Sequence, residues 1–411
     1  MKLIYTFLFY FLLITSTLFG QSKNTKILFV IVDGISADVI EKLETPNLDA
    51  IAKVGGYTRA YVGGEKDGYS ETPTISAVGY NSLLTGTWAN KHNVWGNSIK
   101  DPNYNYWTIF RYAKEHRPEL KTAIFSTWLD NRTKLVGEGL PQTDELKLNY
   151  HFDGFELDTI NFPHDEDRLY IHNIDELVAN ETARYIKEES PDLSWVYLEY
   201  TDDMGHRYGD SEQFHRAITI MDDQIGRIFQ AMDYRKNKYG EDWQIFITTD
   251  HGRDKDTGKG HGGQSDRERL TWIVTNAEGI NDYFKNSTPG IVDIMPAILR
   301  SLEISPKRER AFEIDGVPIT GPISVSNLKA RITGHELYLN WKSYKDNEKF
   351  KIYISTENGF KNGINDRYKL VKKVKSNSNG TKIDLSKLPS RFYKIVVEGK
   401  HNAVNTWVIL E

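Results

Sequence analysis

The chain has 411 residues, 39% hydrophobic, 27% charged and 12% aromatic, with a formal net charge of −5. That composition excludes a disordered chain and a helix-bundle membrane protein, and the negative balance argues against a dedicated nucleic-acid binder. There is no cysteine, so disulfide frameworks, thiolate metal sites and thiol nucleophiles are excluded, and any metal must be held by His, Asp, Glu and hydroxyls.

Met1–Gly20 reads as a secretory signal: Lys2 gives a positive start, Leu3 to Ile14 is apolar, and Thr15–Gly20 holds several small residues. The expectation is export to the periplasm or exterior, with cleavage near Gly20–Gln21. An uncleaved anchor is the alternative.

Residues 23–320 alternate strand-like and helix-like runs, which predicts a parallel sheet covered by helices on both faces. Lys26–Val32 is almost continuously apolar, as a strand buried on both faces requires. Lys121–Thr127, Trp195–Tyr200, Gln244–Thr248 and Leu270–Thr275 are further strands. Thr45-Pro46 supplies a capping hydroxyl and a first-turn proline for a helix. His172–Glu189, Glu212–Met232 and Ile291–Leu302 are helical.

Residues 323–411 alternate differently. Leu337, Leu339 and Trp341, then Phe350, Ile352 and Ile354, recur with period two between Asn- and Gly-rich turns. Arg391–Val397 and Thr406–Leu410 are also strand-like. The reading is a C-terminal all-β sandwich of fibronectin III or immunoglobulin type. Residues 320–411 carry 17 Lys+Arg against 8 Asp+Glu, a net +9, which leaves −14 on the remainder. A basic accessory domain of this kind suits envelope or polysaccharide contact; a spacer that complements the acidic remainder is the plainer alternative.

The chemical signal is positional. Three apolar strands lead into acid: Asp33-Gly34, Asp202-Asp203-Met204-Gly205-His206 and Asp250-His251-Gly252. Open α/β sheets bind ligands beyond the carboxyl ends of their strands. One such Asp is commonplace as a helix cap. Three of them, two with a nearby His, are not explained by capping. A tight turn through Gly205 would present Asp202 and His206 to one ion, and His261 follows as a third imidazole. These donors suit Zn²⁺, with manganese and iron as alternatives, and their number allows two ions.

Ser76 opens a helix-like run ending near Gly86, where backbone N–H groups favour an anion. As an activated nucleophile it would form a covalent phosphoryl intermediate; Thr74 is its local competitor. Asn97 could donate its amide to a non-bridging oxygen, although alone it reads as a turn residue.

These motifs resemble the alkaline phosphatase superfamily, specifically its nucleotide pyrophosphatase/phosphodiesterase-like branch, over roughly residues 26–317. The resemblance implies a phosphatase-type α/β sandwich with two catalytic zinc ions. Pro73-Thr74, Ser76 and Thr85-Gly86 keep the spacing of the family's nucleophile segment, which favours Ser76 over Thr74. His92 and Asn97 match its following His…Asn pair, making Asn97 a phosphate-binding amide. By the same resemblance one zinc takes Asp202, His206 and His261, and the other takes Asp33, Asp250, His251 and Ser76. Many relatives carry threonine as nucleophile. The nucleotide-cleaving members have a long insertion where His261 follows only ten positions after His251 here, so nucleotide specificity is not carried over. The sulfatase signature after the nucleophile is absent.

A diester needs a pocket for its second substituent, which Tyr80, Trp95 and Trp128 could line; a monoester needs an extra cation, for which Arg132 and Lys134 are candidates. The expectation is an exported di-zinc phosphoesterase, with the diester reading favoured over the monoester. A binding protein on a degenerate phosphatase scaffold is the alternative from another class.

Overall fold

The structure, a computed structural model, describes Thr25–Leu410, and the signal reading of Met1–Gly20 lies outside the described residues. Strand β1 (Thr25–Val32) buries both faces: Ile27, Phe29 and Ile31 enter one hydrophobic core, and Leu28, Val30 and Val32 enter the other. This is why its sequence is a continuous apolar run and not an alternating one.

The central sheet also contains β2 (Gly56–Tyr61), β3 (Thr122–Ser126), β4 (Tyr150–Phe152), β5 (Leu193–Leu198), β6 (Asp242–Thr248) and β7 (Leu270–Thr275). Its order is β2-β7-β6-β1-β5-β3-β4. β6, β1, β5, β3 and β4 are parallel, while β7 runs antiparallel to β6 and to β2. Helices Ser76–Thr85, Ile109–His116 and Ile294–Ser301 cover one face; helices Pro46–Val54, Leu169–Glu188 and Glu212–Tyr239 cover the other. The fold is thus a mixed α/β sandwich with a mostly parallel sheet, as the sequence implied.

Two local expectations change. Thr45 precedes the helix Pro46–Val54, but its hydroxyl makes no capping bond. The carboxylate of Asp222, from the long helix, instead accepts the N–H groups of Asn47 at 3.0 Å and Leu48 at 2.9 Å. A charged acceptor satisfies two orphan donors where a hydroxyl would satisfy one. The Ile291–Leu302 segment divides into a 3₁₀ turn at Ile291–Asp293 and an α-helix at Ile294–Ser301.

The C-terminal residues form β8 (Val325–Thr333), β9 (Glu336–Ser343), β10 (Lys349–Ser355), β11 (Lys369–Lys375), β12 (Gly380–Asp384), β13 (Phe392–Glu398) and β14 (Ala403–Ile409). They make two antiparallel sheets, β11-β10-β13-β14 and β12-β9-β8. Leu337, Leu339, Phe350, Ile352, Ile395 and Val397 fill the space between them. Two buried ammonium groups fasten these sheets to the preceding chain. Lys91 reaches Asp315 at 2.6 Å and Asn405 at 2.9 Å, and Lys394 reaches Glu313 at 2.9 Å and Asp366 at 2.6 Å. A buried charge requires such partners, since an unpaired one is strongly destabilising.

Candidate active site

β6, β1 and β5 are adjacent and parallel, so their carboxyl ends open on one rim of the sheet. Asp33 follows β1 directly, and Asp250 lies two residues past β6. Asp202 does not sit on a tight turn. It lies in the first turn of the helix Tyr200–Tyr208, which also carries His206. The four-residue spacing therefore works through one helical turn, which puts both side chains on the same face.

All six residues gather into two groups whose ligand atoms lie within 4.8 Å of one another: Asp202, His206 and His261 in one, Asp33, Asp250 and His251 in the other. The three carboxylates are held in a common way. Asp33 Oδ2 accepts the hydroxyls of Tyr80 and of Tyr197, the latter at 2.7 Å, while its Oδ1 is buried with no hydrogen-bond partner. Asp250 Oδ1 accepts the Gly34 N–H at 3.2 Å, while its Oδ2 is likewise buried and bare. Asp202 Oδ1 accepts from the Arg253 guanidinium, and its Oδ2 faces His206 Nε2 at 3.2 Å. Each acid thus has one oxygen committed to the protein and one turned to the centre.

The imidazoles are oriented to match. His251 Nδ1 donates to the Gly252 carbonyl at 2.9 Å, and His261 Nδ1 donates to the Thr74 carbonyl at 2.8 Å. A carbonyl only accepts, so both Nε2 atoms are left as lone-pair donors. His251 Nε2 lies 3.3 Å from the bare oxygens of both Asp33 and Asp250. The rings of His251 and His261 stack at 3.6 Å. Bare buried carboxylate oxygens facing imidazole lone pairs are costly without a cation, so the donor set fits metal ions.

The electrostatics carry the same message. Burial opposes charge on His251, but the carboxylates of Asp250, Asp33 and Asp202 outweigh it and push the imidazole up to about 9. Burial, with the neighbouring His251, holds His261 down to about 4. Burial and the Asp33 carboxylate raise Asp250 well above the ordinary carboxylate range. Without a cation the cluster holds protons in its place, and metal binding would release them.

Ser76 is the first residue of the helix Ser76–Thr85, which ends at left-handed Gly86. Its hydroxyl is 3.4 Å from His251 Nε2. Asn97 approaches the same point and accepts the Ala77 N–H through Oδ1 at 3.0 Å. Ser76, Asn97, Asp33 and Asp202 line a cavity of about 230 Å³ together with Tyr80, Trp128, Tyr197 and Glu199. Thr74, the competing hydroxyl, instead donates to the Gly263 carbonyl at 2.9 Å.

Other expected neighbours are elsewhere. Arg132 is bound by Asp153 at 2.6 Å and Glu138 at 2.7 Å, and Lys134 by Asp130 at 2.7 Å; neither lines the cavity. Trp95 is 47% exposed and likewise outside it. Sequence reasoning missed Glu199, Tyr197 and Arg253. Glu199 and Tyr197 sit at the end of β5, so the strand-end rule that found Asp202 could have found them. Arg253 directly follows Asp250-His251-Gly252 and is fully buried, which is unusual enough for arginine to mark it only once the fold is known.

A mostly parallel sheet with these clusters at its carboxyl rim defines an α/β protein whose site is fitted to hold metal ions. The profile of type I phosphodiesterases/nucleotide pyrophosphatases matches residues 27–260, and the chain belongs to that family. Human ectonucleotide pyrophosphatase/phosphodiesterase family member 5 is 25% identical over 254 residues, covering 61% of this chain and 49% of that protein. Human bis(5'-adenosyl)-triphosphatase ENPP4 is 26% identical over 245 residues, covering 57% of this chain and 48% of that protein. The chain spans about half the length of the curated relatives it matches. Among solved structures, Ps i-CgsB in complex with k-i-k-neocarrahexaose aligns with a TM-score of 0.50 at 14% identity, covering 79% of this chain and 86% of that chain, a similarity of fold.

Proposed function

We propose that the protein is an exported di-zinc hydrolase of phosphate esters, a phosphodiesterase that works through a covalent phosphoserine at Ser76. The observation that carries this reading is the set of three carboxylates around imidazole Nε2 atoms beside the Ser76 hydroxyl: Asp33 and Asp250 each keep one buried, bare oxygen, and Asp202 turns its Oδ2 to His206. Asp202, His206 and His261 would hold one ion, and Asp33, Asp250, His251 and the Ser76 hydroxyl the other. Bound there, zinc would supply Lewis-acid charge beside the phosphoryl group. Export rests on the sequence pattern of Met1–Gly20.

The chain's own residues account for the remainder. Ser76 Oγ, at the head of its helix, attacks phosphorus; the P–O bond to the leaving alcohol breaks, and the alcohol departs. The Asn97 amide donates to a non-bridging oxygen while its carbonyl oxygen is anchored on Ala77. Water then attacks the phosphoserine, releasing a phosphomonoester and restoring the Ser76 hydroxyl. Among the described residues no Lys or Arg lines the cavity, whereas Glu199 does. This favours a diester, which carries one negative charge, over a dianionic monoester.

The test compares initial rates on bis-p-nitrophenyl phosphate and p-nitrophenyl phosphate with the zinc-replete protein. The expected result is faster diester turnover, lost by about 10³-fold or more in Ser76→Ala and retained in part by Ser76→Thr. Turnover of neither ester with two ions bound would move the binding-protein reading to the front.

A binding role for the C-terminal sheets has its own support. In the β10–β11 pair, Lys349 stands opposite Lys375 and Lys351 opposite Lys373. Like charges directly opposite one another are destabilising. Glu398, at 3.3 Å from Lys351, offsets one of the four. An acidic polysaccharide is the partner this face suits.

A further inference from the structure

The Arg253 side chain is fully buried and bonded to segments from three separate parts of the chain. Its Nε donates to the Gly34 carbonyl at 2.8 Å, immediately after Asp33. Its Nη2 donates to the Asp202 carbonyl at 2.8 Å and also to Asp202 Oδ1. Its Nη1 donates to the Lys259 carbonyl at 3.1 Å, two residues before His261. Its own N–H donates to Ser36 Oγ at 2.8 Å.

The surroundings are shaped for this guanidinium. Gly205 lies one turn along from Asp202, and a Cβ there would overlap the guanidinium carbon and two of its nitrogens. Gly34 adopts φ +70°, and a Cβ there would press on Nη2 and on Asp202 Oδ1. The short loop that returns from Arg253 to His261 is folded on the Asp254 carboxylate, which accepts from Asp256 N at 3.0 Å, Thr257 N at 2.7 Å and Thr257 Oγ1 at 2.8 Å. Arg253 ties this loop to the helix bearing Asp202.

We infer that Arg253 is a positioning residue: it occupies Asp202 Oδ1, so that Asp202 offers a single oxygen to an ion shared with His206 and His261, and it sets the approach of His261. The planar fork suits this role because one group satisfies four acceptors in fixed directions, which an ammonium cannot do. The inference rests on the proposal that the two clusters hold metal.

The experiment uses the full chain, stripped with chelator and titrated with Zn²⁺ against a competing chelator. It compares wild type, Arg253→Lys, Arg253→Met and Gly205→Ala. Thermal unfolding of the stripped proteins is recorded alongside. The expected result is a roughly 10–100-fold loss of affinity for one of the two ions in all three variants, with the second ion held as in wild type. Gly205→Ala gives this loss with Arg253 still present, because the methyl group displaces it. On bis-p-nitrophenyl phosphate the loss appears in kcat with KM little changed. Variants that bind both ions as wild type would overturn the inference. So would an equal fall at both sites together with a collapse of unfolding temperature, which is what a purely structural arginine gives. If the wild type binds two ions but turns over no ester, the activity reading fails while the metal titration still decides the role of Arg253.

Discussion

Asn97 Oδ1 accepts the backbone N–H of Ala77 at 3.0 Å, joining the end of one loop to the first turn of the Ser76 helix. The bond fixes which way the amide is turned. With its oxygen committed, the NH₂ group is the end available to an anion beside Ser76. It also satisfies one of the orphan donors at the start of that helix.

Replacing Asn97 should therefore cost transition-state stabilisation. Asn97→Ala removes a donor aimed at the phosphoryl oxygen and is expected to lower kcat about 10²–10³-fold. Asn97→Asp keeps the acceptor for Ala77 but sets a negative charge against the phosphoryl group, and is expected to be worse than Asn97→Ala. Steady-state rates on bis-p-nitrophenyl phosphate provide the check; equal rates in Asn97→Asp and wild type would rule out the amide donor.

On the proposed reading, Glu199 is expected to set the preference between esters. Burial, then the carboxylates of Asp203, Asp175 and Asp33, raises its carboxyl above the ordinary range. Its ion-pair partner Arg168 is 3.5 Å away. A dianionic monoester must meet this carboxylate or take up a proton with it; a monoanionic diester meets a weaker penalty. Glu199→Gln is expected to raise the monoester-to-diester rate ratio about tenfold, equivalent to about 1.4 kcal/mol. A ratio that does not move would remove Glu199 from substrate discrimination.

His92 makes stability depend on acid. Val94 N donates to its Nδ1 at 3.1 Å, so the ring proton sits on Nε2, which faces Ser82 Oγ at 3.1 Å. A second proton would have to displace the Val94 bond in a fully buried site, and burial lowers the imidazole from 6.5 to about 3. Between those values the unfolded chain binds the proton and the folded chain does not. Stability from this group is therefore present above pH 6.5 and falls on acidification, by up to about 1.4 kcal/mol per pH unit. Urea unfolding of the metal-free protein at pH 7 and pH 4.5 should show a smaller difference in His92→Gln than in wild type; identical differences would contradict it.

The facing lysines of β10 and β11 make binding to a polyanion measurable. Wild type is expected to bind dextran sulfate with salt-sensitive affinity. Lys373→Glu with Lys375→Glu should weaken it about tenfold, roughly 1.4 kcal/mol. Lys187→Glu with Lys285→Glu, an equal change of net charge on exposed helix positions, should not. Equal losses in both pairs would reduce the effect to net charge, and the lysines of this edge strand to a guard against strand pairing.

Most of the sheet was legible because its signal is local. A run such as Lys26–Val32 states its own burial, and a strand end states where a ligand can sit. The same rule selected Asp33, Asp202 and Asp250 as residues of one rim. The turn expected between Asp202 and His206 failed for a local reason too. Gly205 suggested a bend, but inside the helix Tyr200–Tyr208 it clears the guanidinium of Arg253. Arg132 and Lys134 looked available as phosphate-binding cations because the pairing of Arg132 with Asp153, and the place of both residues outside the cavity lining, belong to the folded chain alone.

The sequence by itself determined the residue types, the parallel core, the β-sheets that follow, and the stretch from Asp33 to His261 on which the site is built. Periodicity and strand ends are properties of neighbouring residues, and they survive without coordinates. Only the tertiary structure decided which carboxylate oxygen is bare, which imidazole nitrogen is free, and that Glu199 rather than a cation lines the cavity. Those are set by partners that are far away along the chain, such as Tyr197 for Asp33 and Arg253 for Asp202. Hydrogen bonds of that kind exist only once the chain has closed on itself, and no local pattern encodes them.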